Sequence, residues 1–120
     1  MPSIAKKISK FTQREIEHLF KHARRIVRSE FCTILCAPRQ QNFGRVLIVT
    51  SRKVGNAPQR NLLRRRIKAI FYEKKLYDGP FDWVIIMQKK ATALSFDQLK
   101  TIILNAYQKA VETNESAAAQ

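Results

Sequence analysis

The spacing of apolar side chains predicts three helices in this chain. The first begins after Thr12, which can form a capping box with Glu15, and apolar residues then recur at helical spacing. A second helix runs over residues 59–74 with Pro58 near its first turn. A third follows Ser95, which can form a second capping box with Gln98.

Four β-rich runs lie between these helices. They occupy residues 26–27, 31–36, 46–51 and 81–87. The polar residues 39–44 indicate a hairpin loop, and the run that follows is apolar on both faces, which predicts a strand inside the sheet. The order α-β-β-β-α-β-α predicts an α+β fold, a two-layer sandwich with a four-stranded mixed sheet.

The length of 120 residues predicts a single domain, with a flexible basic leader at residues 1–10 and a flexible tail at residues 113–120. No apolar run approaches the roughly 18 residues of a membrane-spanning helix. The leader has no apolar centre of the kind a secretory signal needs, and two cysteines are too few for a disulfide scaffold. We therefore expect a compact cytoplasmic protein.

Positive charge is concentrated in the first part of the chain. The formal net charge is +14, and residues 1–75 hold 19 basic and 4 acidic side chains, against 4 and 5 in the remainder. The folded body must therefore carry a positive face, which attracts polyanions. Nucleic acid is the leading partner, and an anionic membrane surface is the weaker alternative.

The most informative stretch, residues 52–71, reads RKVGNAPQRNLLRRRIKAIF. If this stretch is a helix with about 100° between successive residues, an arc of about 140° around its axis carries basic side chains and one amide side chain but no acidic one. This face consists of Arg60, Asn61, Arg64, Arg65 and Lys68. A solvated helix face is the simpler alternative, but such faces usually mix signs, and residues 52–72 hold seven basic and no acidic side chains. Bound phosphates would also relieve the repulsion between like charges four residues apart.

This stretch resembles the signature of the bacterial ribonuclease P protein subunit. Direct matches are Lys53, Gly55, Asn56, Ala57, Arg60, Asn61, Arg65, Arg66 and Phe71, and Arg64 and Lys68 match by charge. Further similar residues are Phe20-Lys21-His22, Ser29-Glu30-Phe31 and Asp82, so the resemblance covers most of the chain. Pro58 and Ala69 depart from the family's usual residues.

The resemblance implies the protein subunit of a ribonucleoprotein endonuclease that removes the 5′ leader of precursor tRNA. The catalytic RNA would supply the active site and its divalent metal, Mg²⁺, so we expect no catalytic residue or metal ligand in this chain and no required protein partner. The resemblance also implies a left-handed crossover around the second helix, against the general rule. Residues expected to bind the catalytic RNA are Asn56, Arg60, Asn61, Arg64, Arg65, Arg66 and Lys68.

A cleft between the first helix and the sheet would bind the leader. Its expected residues are Ile16, Phe20, Ile34, Cys36, Arg52, Lys53, Lys89 and Lys90. Phe20 would face the strand that carries Ile34 and Cys36, and core packing of Phe20 is the alternative. The family often has aromatic residues where Ile16 and Ile34 stand, so we expect weaker base stacking here.

Other candidate sites have simpler interpretations. His18 and His22 could share a metal ion, but a cationic pair facing RNA is favoured. Cys32 and Cys36 lie roughly 13 Å apart on one strand face, which predicts buried reduced thiols. Trp83 is expected to pack in the core.

The basic half of the chain holds four glutamates and no aspartate, so an independent metal nuclease is rejected. A structural ribosomal protein and a general single-stranded RNA-binding protein are the remaining alternatives.

Overall fold

The computed structural model describes the backbone of residues 4–119 and the side chains of residues 4–113. Within that part, the elements in order are α1 (Ile4–Lys7), α2 (Gln13–His22), β1 (Arg24–Arg28), β2 (Cys32–Pro38), β3 (Val46–Val49), α3 (Ala57–Glu73), β4 (Phe81–Met87) and α4 (Phe96–Ala119). Apart from the one-turn α1, this is the predicted order, and the predicted bounds of β4 are confirmed.

Capping boxes define the starts of the three long helices. In each box the side chain before the helix accepts a hydrogen bond from a backbone N–H three residues later, and the side chain of that later residue accepts one in return. The pairs are Thr12–Glu15, Asn56–Gln59 and Ser95–Gln98. The first and last confirm the prediction, and the middle one starts α3 at Ala57, two residues earlier than expected.

The sheet is mixed, as predicted, but the expected place of β3 in it is wrong. The strand order is β1-β2-β4-β3, with β3 parallel to β4 and the other pairs antiparallel. Residues 39–44 therefore do not close a hairpin, and β3 lies at an edge. Its apolar character on both faces has another cause, because each face packs into a different cluster. Val46 and Ile48 belong to the cluster beneath α3 and α4, and Leu47 and Val49 pack against the cluster around Leu19.

The two faces of the sheet pack against different helices. The main core lies between one face and helices α3 and α4, where Ile67 and Ile70 are 0% exposed. A smaller cluster on the other face centres on Leu19 of α2, with Ala37 and Val84 below it. Since α2 covers only part of that face, Leu35 and Ile86 beside it remain half-buried. This uneven coverage leaves a strip of half-buried apolar sheet surface beside α2, which we call the groove.

Both chain ends carry regular structure where the structure describes them. Ile8 of the expected leader is 1% exposed and belongs to the main core, so residues 4–10 are not a detached segment. Helix α4 extends to Ala119. The flexibility expected for residues 1–3 and 120 lies outside the described backbone.

Several expectations about single residues are confirmed. Cys32 and Cys36 are free and fully buried, and burial raises the pKa of both thiols. Trp83 is 2% exposed and lies edge-on to Phe71 and Phe81. Among residues 4–119, no helix has both the length and the apolar character to cross a membrane.

Candidate nucleic-acid interface

Helix α3 separates an apolar stripe from a basic face, as the helical spacing predicts. Its buried residues are Leu63, Ile67, Ile70 and Phe71. On the adjoining side, an open concavity of about 590 Å³ is lined by Pro58, Asn61, Arg64, Arg65 and Lys68, and we call it the α3 concavity. Three cations and no carboxylate line it, so it suits a polyanionic ligand. Guanidinium groups also bind phosphate through two parallel hydrogen bonds.

Other residues expected to bind the catalytic RNA have different positions. Asn56 caps α3, with its Oδ1 accepting from Gln59 N at 2.9 Å. The signature glycine before it, Gly55, has a packing reason, because a Cβ there would collide with the Gln59 side chain that completes the cap. Arg66 is turned toward the start of α4 and donates from Nη1 to the Leu94 carbonyl at 3.1 Å. Arg60 is half-buried.

A second, smaller concavity of about 160 Å³ joins the basic face to the edge of the sheet. Arg64 and Lys68 line it together with Ser9, Leu47 and Ile48. The cations of α3 therefore extend toward β3, whose outer edge has no further strand within the described residues.

The groove on the α2 side of the sheet has an aliphatic floor. Residues paired across two neighbouring strands point to the same face of the sheet. The pairing of β2 with β4 therefore places Thr33 beside Ile86 and Leu35 beside Val84 on the groove face. Leu47 and Val49 of β3 pack into the same cluster. Because Thr33, Leu35 and Ile86 are half-buried, they offer apolar surface to a ligand.

Two residues assigned to the cleft face the other way. Ile34 and Cys36 are 1% and 0% exposed and belong to the main core beneath α3 and α4. The prediction that Phe20 faces Ile34 and Cys36 is therefore wrong. Side chains alternate between the two faces of a strand, and these two lie on the face opposite α2. Leu35, between these two positions, takes their place at the floor.

Helix α2 forms one wall of the groove. Phe20 is 46% exposed, whereas Leu19 beside it is 0% exposed, so Phe20 is not a core residue. Ile16, one turn earlier, is half-buried. The wall therefore carries an accessible aromatic ring.

Two cations that were not predicted from the sequence lie on the β1 side of the groove. Arg25 pairs with Leu35 and Arg28 with Thr33, which places both on the groove face. A β-bulge between Arg25 and Val27 allows this, because it shifts the alternation by one residue. A bulge depends on pairing with another strand, and the sequence of β1 carries no signal for it.

The predicted basic rim lies at the end of the sheet opposite α2. Arg52 and Lys53 belong to a 3-10 turn that packs against a second one, Lys89–Ala93. All four cations of the rim are exposed. Lys90 Nζ lies 2.9 Å from Glu30 Oε2, so this cation already has an anionic neighbour. The rim residues are Arg52, Lys53, Lys89 and Lys90.

A buried ionic network fixes α2 to the sheet. Arg45 is 3% exposed, and its Nη2 lies 2.9 Å from Glu15 Oε2 and 3.7 Å from Asp82 Oδ2. The guanidinium also stacks over the Phe11 ring at 4.1 Å and donates to Lys10 O at 2.8 Å. Burial raises the pKa of Asp82, although backbone N–H groups of Gln40 and Arg45 donate to its carboxylate.

No group of three or more His, Cys, Asp and Glu side chains suited to a metal ion occurs among the described residues. The rings of His18 and His22 lie 4.3 Å apart on the exposed side of α2. The two imidazoles thus add to the polar surface of α2.

Comparison with known proteins agrees with these features. The profile of the family described as Ribonuclease P matches residues 5–111. The Ribonuclease P protein component of Halalkalibacterium halodurans is 30% identical over 97 residues, covering 80% of this chain and 82% of that protein. The protein of the same name from Bacillus velezensis is 31% identical over 96 residues, covering 79% of this chain and 82% of the relative.

Solved structures share the fold. The RNase P protein of Thermotoga maritima superposes with a TM-score of 0.71 at 26% identity, covering 84% of this chain and 96% of that one. The Staphylococcus aureus RNase P protein gives a TM-score of 0.74 at 19% identity over 86% of this chain and 94% of its own, a likeness of fold. Together with the family profile, these matches establish that the chain belongs to the ribonuclease P protein family.

Proposed function

We propose that this chain, as the protein subunit of ribonuclease P, binds the RNA subunit through the α3 concavity and holds the 5′ leader of precursor tRNA in the sheet groove. The observation that carries the proposal is the separation of two cationic surfaces, one on α3 and one around an apolar groove. A ribonucleoprotein that cleaves RNA has two RNA molecules to bind, and each surface suits one of them.

The α3 concavity suits folded RNA, because its cations project from a rigid helix packed on the core. Arg64, Arg65 and Lys68 can each meet a phosphate, while Asn61 supplies a donor and an acceptor for a sugar or base edge. Arg60 precedes Arg64 by one turn, Arg66 is turned toward α4, and Asn56 fixes the first turn through its cap.

The groove suits single-stranded RNA. Bases can lie on Leu35 and Ile86 and against Phe20, while phosphates meet Arg25 and Arg28 on one side. Arg52, Lys53, Lys89 and Lys90 would extend that contact beyond the end of the sheet. With a single accessible aromatic in the wall and an aliphatic floor, this binding would select bases weakly.

The proposal assigns the cleavage chemistry to the RNA subunit and its divalent metal, Mg²⁺. The described residues bring together no carboxylate cluster for such an ion. The role of the protein is to position two RNAs and to offset their mutual repulsion, and the proposal assigns it to the cytoplasm.

Reconstitution tests the proposal. The chain is mixed with a bacterial ribonuclease P RNA, and cleavage of precursor tRNA is measured at low magnesium with and without protein. We expect cleavage at the mature 5′ end to depend on the protein, and the protein alone to leave the substrate intact. An RNA subunit that gains nothing from the protein would favour a ribosomal or general single-stranded RNA-binding role.

The groove is tested in the same assay with Phe20→Ala. A substrate with a leader of several nucleotides should lose affinity, whereas a substrate with a one-nucleotide leader should not. Leu62→Ala, which truncates an exposed apolar side chain on α3, is the matched control. Equal losses for both substrates would contradict the assignment of Phe20 to the leader groove.

A further inference from the structure

Three large apolar or aromatic side chains are exposed within the described residues: Phe20, Leu62 and Tyr72. Phe20 belongs to the groove wall, and Leu62 is only 37% exposed. Tyr72 is 50% exposed in the last turn of α3, and neither the core nor the groove accounts for it.

Tyr72 lies in line with the α3 concavity. At about 100° per residue, an arc of about 60° holds Asn61, Arg65, Lys68 and Tyr72. Tyr72 follows Lys68 by four residues, a spacing that brings Cβ atoms to about 5–6 Å on a helix. The ring therefore continues the row of side chains that lines the concavity, whereas Leu62 lies about 100° from Asn61 on the helix.

A second tyrosine supports the ring. The Tyr72 and Tyr77 rings are stacked, with centroids 6.1 Å apart and planes inclined by 27°. Tyr77 is half-buried and packs against the main core, and its carbonyl accepts a hydrogen bond from Gly44 N at 2.7 Å. Tyr77 thus restrains Tyr72, so little conformational entropy would be lost when another planar group stacks on the exposed side.

We propose that Tyr72 is a stacking platform for an unpaired base of the RNA that binds the α3 concavity. The proposal rests on the proposed function, since it takes the RNA subunit as the ligand of α3. An exposed aromatic ring at the end of a row of cations combines the two contacts that unpaired RNA offers, a π-face and a phosphate. A tyrosine that merely packs on Tyr77 would make no difference to RNA binding.

Three variants test this role by equilibrium binding to a bacterial ribonuclease P RNA over a range of salt concentrations. Tyr72→Ala should weaken binding at least about fivefold, because stacking contributes about 1–3 kcal/mol per base. Its salt dependence should equal that of the parent, since no phosphate contact is lost. Tyr72→Phe, which keeps the ring, and Leu62→Ala should both bind like the parent.

Other outcomes would overturn the proposal. If Tyr72→Ala binds the RNA as tightly as the parent, the ring does not stack on a base. If Tyr72→Phe loses as much affinity as Tyr72→Ala, the effect belongs to the hydroxyl group and not to the ring. Circular dichroism of Tyr72→Ala checks the fold, and unfolding of this variant would make Tyr72 a structural residue.

Fluorescence of Tyr72→Trp provides an independent measurement. Stacking on a base should quench the new indole when RNA binds, and Trp83, at 2% exposure, supplies a constant background. An unquenched signal with bound RNA would contradict the inference alone, whereas a parent protein that fails to bind the RNA would contradict the proposed function as well.

Discussion

Replacing Glu15 with Gln tests how α2, the wall of the groove, is held on the sheet. The carboxylate accepts from Thr12 N at 2.9 Å and from Gln41 Nε2 at 3.1 Å, and it lies 2.9 Å from Arg45 Nη2. These contacts, the hydrogen bond from Arg45 first, lower the pKa of Glu15 from 4.5 to about 2. Gln keeps the shape of the side chain and removes its charge, leaving the buried guanidinium with a weaker partner.

The pKa shift sets the size of the expected effect. A shift from 4.5 to about 2 corresponds to at most about 3–4 kcal/mol, at about 1.36 kcal/mol per unit of pKa. Because 19% of the Glu15 side chain is exposed and solvent screens the pair, we expect Glu15→Gln to lower the free energy of unfolding at pH 7 by about 1–2 kcal/mol.

The pH dependence has a definite sign. A carboxyl group with a lowered pKa in the folded state stabilises the protein above its unfolded pKa, and this stability is lost as the pH falls. The difference between parent and variant should therefore shrink between about pH 5 and pH 2. Asp82, whose pKa is raised by burial, contributes with the opposite sign, but it is present in both proteins.

Urea unfolding at pH 7, 5 and 3, followed by circular dichroism, measures these differences. Glu17→Gln is the matched control, because it neutralises an exposed carboxylate on the same helix. It should change the free energy of unfolding by less than about 0.5 kcal/mol. A Glu15→Gln effect that is absent at pH 7, or that persists unchanged at pH 3, would refute the reasoning.

Three further predictions concern the surfaces and the core. Replacing the three cations of the α3 concavity with Gln should make the fall of log K for RNA binding with log salt concentration less steep by about 2–3, since each phosphate contact contributes about 0.7–0.9. Equilibrium binding over a range of salt concentrations measures this slope, and an unchanged slope would contradict the phosphate contacts. Ile34→Ala should cost about 2–5 kcal/mol of stability, measured by urea unfolding, whereas Leu35→Ala should cost less and weaken binding of long-leader substrates instead. Cys32 and Cys36 should react with a thiol reagent only as the protein unfolds, and rapid labelling of the native state would contradict their burial.

Local and periodic features could be predicted from the sequence. The capping boxes at Thr12 and Ser95 depend on residues three positions apart, and the two faces of α3 follow from helical geometry alone. For the same reason, the cations of the α3 concavity could be identified before any tertiary contact was known.

Features that depend on long-range pairing could not be predicted. Both alternating sets of residues in β2 are largely apolar, so the pattern does not say whether Ile34 or Leu35 faces the groove; the register with β4 and the position of α2 decide it. That Arg25 and Arg28 share the groove face could not be predicted either, because it depends on the bulge in β1. Strand β3 has the sequence pattern of an interior strand because both of its faces pack against apolar clusters, although it lies at an edge of the sheet.

Directed cleavage from tethered iron–EDTA tests the central claim, that the two surfaces bind different RNAs. Ser51→Cys places the probe beside the rim of the groove, and Ala69→Cys places it on α3 one turn beyond Arg65. Both positions are exposed, and the two native thiols are buried. In the complex of protein, RNA subunit and precursor tRNA, the account predicts that the α3 probe cuts the RNA subunit and the groove probe cuts the 5′ leader. An α3 probe that cuts only the precursor tRNA, or a groove probe that leaves the leader intact, would contradict it.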